Sequence, residues 1–252
     1  MVILGYVLAL LVGLSLGLLG GGGSILTVPI LNYVMGMDAQ EAIAASLVVV
    51  ALTSLVGLIS HWRHKRVSFK VGLPFGLASM AGAFVGGWSA QFLPGYVLML
   101  IFAVIMLSTS VTMIGGKKQQ AKRKAPVPRL WVSALLGFVV GAVTGLVGAG
   151  GGFLIVPALV LFGGLPIHLA IGTSLFAIVM KNIAALGGHI LAVTINWPVT
   201  LTFTAIAILG SLFGARLVSR ISPESLQKGF GWFVFVMGLA VIGTEISTLM
   251  SS

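Results

Sequence analysis

The stretch from Gly17 to Leu31, GLLGGGGSILTVPIL, occurs twice: shifted by 128 residues it matches Gly145 to Leu159, GLVGAGGGFLIVPAL, at nine of fifteen positions. The register continues without a gap, pairing Gly36 with Gly164, Ala42 with Ala170, Ser46 with Ser174, His61 with His189, and Gly82 and Gly86 with Gly210 and Gly214. A chain built this way folds as two copies of one unit. Polyglycine interrupts the apolar runs, and at membrane depth backbone leaves helical geometry only where protein or a water-filled cavity satisfies its N–H and C=O groups. One interruption per copy points to a shared binding site where the copies meet.

Hydrophobic residues make up 58% of the chain and charged residues 7%, too few to cover a water-facing surface, so the sequence reads as an integral membrane protein. A net charge of +10 would suggest nucleic acid in a soluble chain, but here it is confined to short segments between apolar runs. No aromatic residues interleave the basic run, so nucleic acid is not expected as a partner, whereas contact with membrane lipid headgroups is. The absence of cysteine excludes disulfides and thiolate sites, and four scattered histidines make a metal site unexpected; no cofactor is indicated. The first apolar run, Val2 to Leu19, has no basic leader and runs into the glycine motif, so it reads as mature structure.

Segments of about 20 apolar residues cross hydrocarbon, and the sequence offers them near Gln40–Ser60, Val71–Phe92, Tyr96–Ile114, His168–Gly188, Pro198–Ala215 and Gly229–Thr248. Each trio follows a glycine-hinged pair: Val2–Leu19 with Ser24–Gly36, then Leu130–Val147 with Gly152–Gly164. The shorter member of each pair is too short to span comfortably, and length leaves open whether the hairpins traverse or re-enter. Thirteen of the fourteen Lys and Arg residues fall in three clusters: Arg63 to Lys70, Lys117 to Arg129, and Arg216 to Lys228. If each hinged pair returns to its own side, all three clusters face the cytoplasm by the positive-inside rule. Three crossings plus a returning hairpin is an odd unit, so the second copy must be inverted. The expectation is an all-α inner-membrane protein of two inverted repeats, residues 1–115 and 130–252, each a glycine-hinged hairpin plus three transmembrane helices. A basic cytoplasmic linker, 116–129, joins them, and both termini lie outside. Oligomeric state, a homodimer included, stays open.

Gly21, Gly22 and Gly23 with Ser24, and Gly150, Gly151 and Gly152, are the first candidate substrate-binding residues. Glycine lets N–H groups approach a ligand, and helix N-termini meeting from opposite directions make an anion cradle. Pro29 and Pro157 follow equivalently and are candidate hinges that bend or shorten the return helix. Lys181 is the one basic residue outside the clusters, deep in an apolar segment, where an ammonium calls for an anion or polar partners. Ser174 lies seven residues earlier on the same face, beside Thr173; the equivalents in the first copy are Ser46 and Thr53, and Asn182 stands opposite Ser54. Ser46, Thr173, Ser174 and Asn182 are candidate hydrogen-bond donors to a substrate, while the competing reading has the hydroxyls bonding back to helix carbonyls. His61 and His189 are candidate proton carriers or gates, with helix capping as the simpler role. The acids Asp38, Glu41, Glu224 and Glu245 fall at ends or loops, so coupling through a buried carboxylate is not supported.

Enzyme signatures are poor: Gly13-Leu14-Ser15-Leu16-Gly17 fits G-x-S-x-G but lies in an apolar helix rather than on a strand-to-helix elbow. The paired glycine motifs with Val28-Pro29 and Val156-Pro157, followed by small-residue stretches carrying Ser46 or Thr173-Ser174, resemble the TauE/SafE family across essentially the whole chain. That resemblance implies a two-halved cell-membrane transporter of sulfite, thiosulfate, organosulfonates or related small anions. The function expected is therefore a secondary transporter working by alternating access, not an enzyme, with a gated anion channel as the nearest rival and a membrane-embedded hydrolase using Ser15 as a remote one.

Overall fold

The computed structural model describes residues 2–19, 22–115, 130–148, 150–161, 163–189, 193–217 and 223–251, and their regular structure is helical throughout. Helix α1 is Val2–Leu19; a 3-10 turn (Gly22–Leu26), α2 (Thr27–Pro29) and a π-winding (Ile30–Val34) follow as one run. Then come α3 (Ala39–Arg63), α4 (Phe69–Ala90), α5 (Gly95–Ile114), α6 (Leu130–Leu146), α7 (Gly152–Leu161), α8 (Ile167–His189), α9 (Trp197–Leu217) and α10 (Pro223–Ser251). The expected segments coincide with α3, α4, α5, α8 and α9 to within three residues at each end. Helix α10 starts well before its apolar stretch because Pro223, suited to a first helical position, sets its beginning. The expected linker, 116–129, lies outside the described residues.

The two return segments differ. After the first elbow the winding changes at Pro29, whose missing N–H and ring bulk disfavour a continuous α-ladder. Pro157, by contrast, lies inside α7, which continues through Leu161, so it does not set that helix's end. Both segments nevertheless close with the same glycine cap. Met37 N–H donates to the Leu31 carbonyl and Met35 N–H to that of Ile30, at 3.1 and 3.0 Å; Leu165 and Gly163 donate equivalently to Leu159 and Ala158, at 3.1 and 3.2 Å. Gly36 and Gly164 hold φ of 75° and 64°, the left-handed turn that a helix-ending cap requires.

Helices pack through glycine, and the 128-residue offset carries one set of contacts onto the other. A Cβ on Gly141 of α6 would fall on the Ser79 carbonyl of α4, as one on Gly13 of α1 would fall on the Ala207 carbonyl of α9. Gly82 meets the Phe138 carbonyl as Gly210 meets that of Leu10, and Gly86 meets that of Ala142 as Gly214 meets that of Leu14. Small residues let the backbones approach this closely where lipid offers no hydrophobic drive. Each copy thus packs its first helix against the fourth-segment helix of the other, α1 on α9 and α6 on α4. The positions that touch advance together in sequence along both pairs and along α4 with α8, where Gly72 meets Thr173 and Gly87 meets His189, so these helices run parallel. Along α3 and α8 they run in opposition: Gly57 lies against Leu175, and His61 beside Gly172.

The outer surface is apolar, and several polar side chains are buried beside the apolar core. Large apolar side chains such as Leu77, Phe84, Val104, Phe213 and Val236 are exposed, while Ser24, Thr27, Ser46, Ser54, Lys181 and Asn182 are buried. Such a surface is stable only against lipid. All five tryptophans are exposed, with Trp62, Trp88, Trp131 and Trp197 at helix ends, where interfacial aromatics anchor spans. Among the described residues, Ala39–Arg63, Phe69–Ala90, Leu169–His189 and Trp197–Gly214 are long and apolar enough to cross a membrane. The described apolar parts of α1, α5, α6 and α10 are shorter.

Candidate functional site

The second elbow, Gly148 to Gly151, is where the candidate residues gather. Gly148 and Gly151 hold φ of 67° and 70°, which an L side chain adopts only with strain. Gly148 is pressed against Ile43 of α3, where an added Cβ would stand 2.8 Å from the carbonyl oxygen. The hydroxyl of Ser46, one turn on, lies 2.7 Å from both the Gly148 and Ile43 carbonyl oxygens, so its single proton ties the elbow to α3. Ser46, expected to donate to substrate, is instead committed to holding backbone.

Gly150 brings the two elbows together. A Cβ there would stand 2.5 Å from Ser24 Cβ and 2.6 Å from Ser24 Oγ, and would also strike Val50 of α3. Gly22 and Gly23 begin the 3-10 turn that carries Ser24, whereas Gly21 lies outside the described residues. At Gly151 the nearest side chains are Thr144, at 2.9 Å from a built Cβ, and the Lys181 stem, at 3.1 Å for Cε. The Gly151 carbonyl accepts from Leu154 and Ile155 at 2.9 and 2.8 Å, starting α7 at Gly152. The partial positive charge of that helix start therefore lies close to the lysine.

Lys181 and Asn182 are both 0% exposed. Lys181 Nζ donates to Asn182 Oδ1 at 2.8 Å. With its oxygen turned to Lys181, Asn182 points its Nδ2 elsewhere, and that Nδ2 is buried with no hydrogen-bond partner. A buried donor left unmade is costly, so this amide, beside the Lys181 ammonium, stands ready for an acceptor.

Other candidates lie elsewhere. Thr173 Oγ1 accepts the Ser68 N–H at 2.9 Å at the start of α4, and Ser174 Oγ donates to the Ile171 carbonyl at 2.7 Å. They stand about 12 and 10 Å along α8 from Lys181, at 1.5 Å per residue. His189 Nε2 is 2.9 Å from the Gly145 carbonyl, which accepts its N–H, so this imidazole caps the end of α6. His61 is half-buried with no partner for Nδ1, and sits about 25 Å from His189 along α8 by the same rise. The two histidines do not form one proton path by contact. Val50 and Thr144 are at the site and were not expected there; an apolar valine in an apolar helix carries no sequence signal, though Thr144 lies one turn before the glycines. Ser15 donates to the Val12 carbonyl at 2.7 Å within α1, the geometry of an ordinary helical serine. Among the described residues, no three His, Asp or Glu side chains come together as metal ligands.

The profile of the sulfite exporter TauE/SafE family matches residues 6–241. The chain belongs to the TauE/SafE family. A probable membrane transporter protein of Xylella fastidiosa strain Temecula1 is 33% identical over 247 residues, covering 96% of this chain and 95% of the relative. The probable membrane transporter protein YunE of Bacillus subtilis is 27% identical, covering 95% of each, and one of Methanocaldococcus jannaschii is 25% identical, covering 93% of this chain and 94% of that one. No solved structure matches. As a TauE/SafE member with several helices able to cross a bilayer, the protein is a multi-pass membrane transporter.

Proposed function

We propose that this TauE/SafE protein is a secondary carrier for a small sulfur-containing anion such as sulfite, thiosulfate or an organosulfonate, bound at the meeting of the glycine elbows. The observation that carries the reading is the buried Asn182 amide, its oxygen held by Lys181 and its Nδ2 without an acceptor. An anion would accept from Nδ2 and sit against the ammonium and the α7 N-terminus, two positive sources that otherwise repel each other. Among the described side chains the carboxylates are placed elsewhere: Asp38 before α3, Glu41 in its first turn, and Glu245 accepting from Tyr33. The sulfur class rests on the family name.

On this reading the two repeats are inverted and give alternating access. Helices α1 and α9, α4 and α6, and α4 and α8 run parallel while α3 and α8 run antiparallel, so α3 of the first copy points opposite to its equivalent. Glu41, in the first turn of α3, accepts the Asn196 N–H just before α9 at 2.9 Å, in keeping with α3 and α9 running side by side in one direction. Rocking one repeat against the other would expose the site to each side in turn. The basic cluster at Arg63 to Lys70, exposed between α3 and α4, would face the cytoplasm of the inner membrane, with both termini outside. Flux of radiolabelled sulfite and thiosulfate into proteoliposomes tests the reading. Saturable flux accelerated by unlabelled anion on the other side is expected; non-saturating flux, or none, would contradict a carrier.

A further inference from the structure

Asn182 has a repeat equivalent, Ser54, and the two share an unusual property. Ser54 is 2% exposed, and its Oγ, like Asn182 Nδ2, is buried without a hydrogen-bond partner. Ser46, Thr53, Ser79, Thr144 and Ser174 instead bond to carbonyls a turn earlier, and the other unpartnered buried hydroxyls, Thr27 and Ser133, lie on α2 and α6 rather than on α3 or α8. Ser54 and Asn182 also face the same seam. Ser54 stands three and seven residues before Gly57 and His61, which meet α8, and Asn182 stands seven after Leu175, which meets Gly57 of α3.

The antiparallel register fixes their levels. Gly57 lies level with Leu175 and His61 with Gly172. Continuing that register puts Leu52 level with Met180, its repeat equivalent, so the pseudo-two-fold axis passes between them. Ser54 is then two residues to one side of the axis and Asn182 two residues to the other, about 6 Å apart along the helices at 1.5 Å per residue. Val50 and Ile178, themselves repeat equivalents, belong to one buried apolar cluster in this region.

Resting on the carrier reading above, we propose that Ser54 is a second substrate-binding residue, a neutral station paired through the repeat with the charged Lys181–Asn182 station. The anion passes from one to the other across the pseudo-axis when access switches. A hydroxyl beside Thr53 holds an oxyanion more loosely than an amide beside a lysine, which gives the two sides unequal affinity and eases release from the Ser54 side.

The test compares wild type, Ser54→Ala, Ser54→Thr and Ser133→Ala, the last removing another buried, unpartnered hydroxyl on α6. Exchange of radiolabelled sulfite and thiosulfate across proteoliposomes is measured beside sulfite-induced thermal stabilisation of the full chain. Ser54→Ala should slow exchange about tenfold or more while keeping the sulfite-induced shift and an unchanged or raised unfolding temperature. Ser54→Thr should retain most exchange, and Ser133→Ala all of it. Exchange by Ser54→Ala within twofold of wild type, equal losses in Ser54→Ala and Ser133→Ala, or aggregation of Ser54→Ala would overturn the second station while leaving the carrier intact. A wild type that neither binds nor exchanges any sulfur anion overturns the carrier reading, and this inference with it.

Discussion

Adding one methyl group at Gly150 should separate the elbows, and the same addition at Gly243 should not. A Cβ at Gly150 would stand 2.5 Å from Ser24 Cβ and would also strike Val50, a β-branched residue with one strongly preferred helical rotamer. Neither neighbour can swing aside, because Ser24 is 0% exposed and Val50 is packed with Ile178, Phe75 and Ile155. Gly150 does not hold a positive φ, so the cost is steric. Overpacking of this kind costs about 1–3 kcal/mol, and at this chain length each kcal/mol moves the midpoint by about 2–4 °C. Gly150→Ala should therefore unfold several degrees below wild type in a detergent melt and lose its response to sulfite. Gly243, inside α10 with nothing within 4 Å of a built Cβ, should gain about 0.5–1 kcal/mol as alanine. A Gly150→Ala protein as stable and as sulfite-responsive as wild type would refute close apposition of the elbows.

Ser46→Ala should cost about 1–3 kcal/mol in the same melt by leaving the Gly148 carbonyl without its donor; sulfite stabilisation should weaken with it, and an unaltered response would assign Ser46 no part in shaping the elbow. Gly36→Ala isolates backbone strain, since nothing lies within 4 Å of its built Cβ and φ is 75°; about 1–2 kcal/mol of destabilisation with anion exchange unchanged is expected, and loss of exchange would tie the cap to transport.

The duplication made much of this legible. Once Gly17–Leu31 is laid on Gly145–Leu159, a shared site where the elbows meet is the expectation, whereas the partners of the glycine-packed helices came from the structure. Lys181 and Asn182 stood out because polar groups in an apolar segment need a partner. Ser46 and Thr173 looked equivalent to them in sequence, yet one braces Gly148 and the other receives the Ser68 N–H. A hydroxyl aimed at a ligand and one spent on backbone carry the same letter, and only tertiary contacts tell them apart. Val50 was hidden for the opposite reason, since its role is to press on Gly150 and any core valine reads alike. The change of winding at Pro29 but not Pro157 was likewise beyond reach, because the two prolines sit in matching sequence.

Thermal unfolding of the purified full chain with sulfite, thiosulfate, sulfoacetate, taurine, sulfate and lactate, repeated on Lys181→Met, tests most directly whether the elbows enclose an anion site. Wild type should be stabilised by at least one sulfur anion, by about 2.7 kcal/mol at a hundredfold excess over Kd, and Lys181→Met should fold yet lose that shift. Equal stabilisation of Lys181→Met, or stabilisation of wild type by cations or neutral sugars alone, would contradict it.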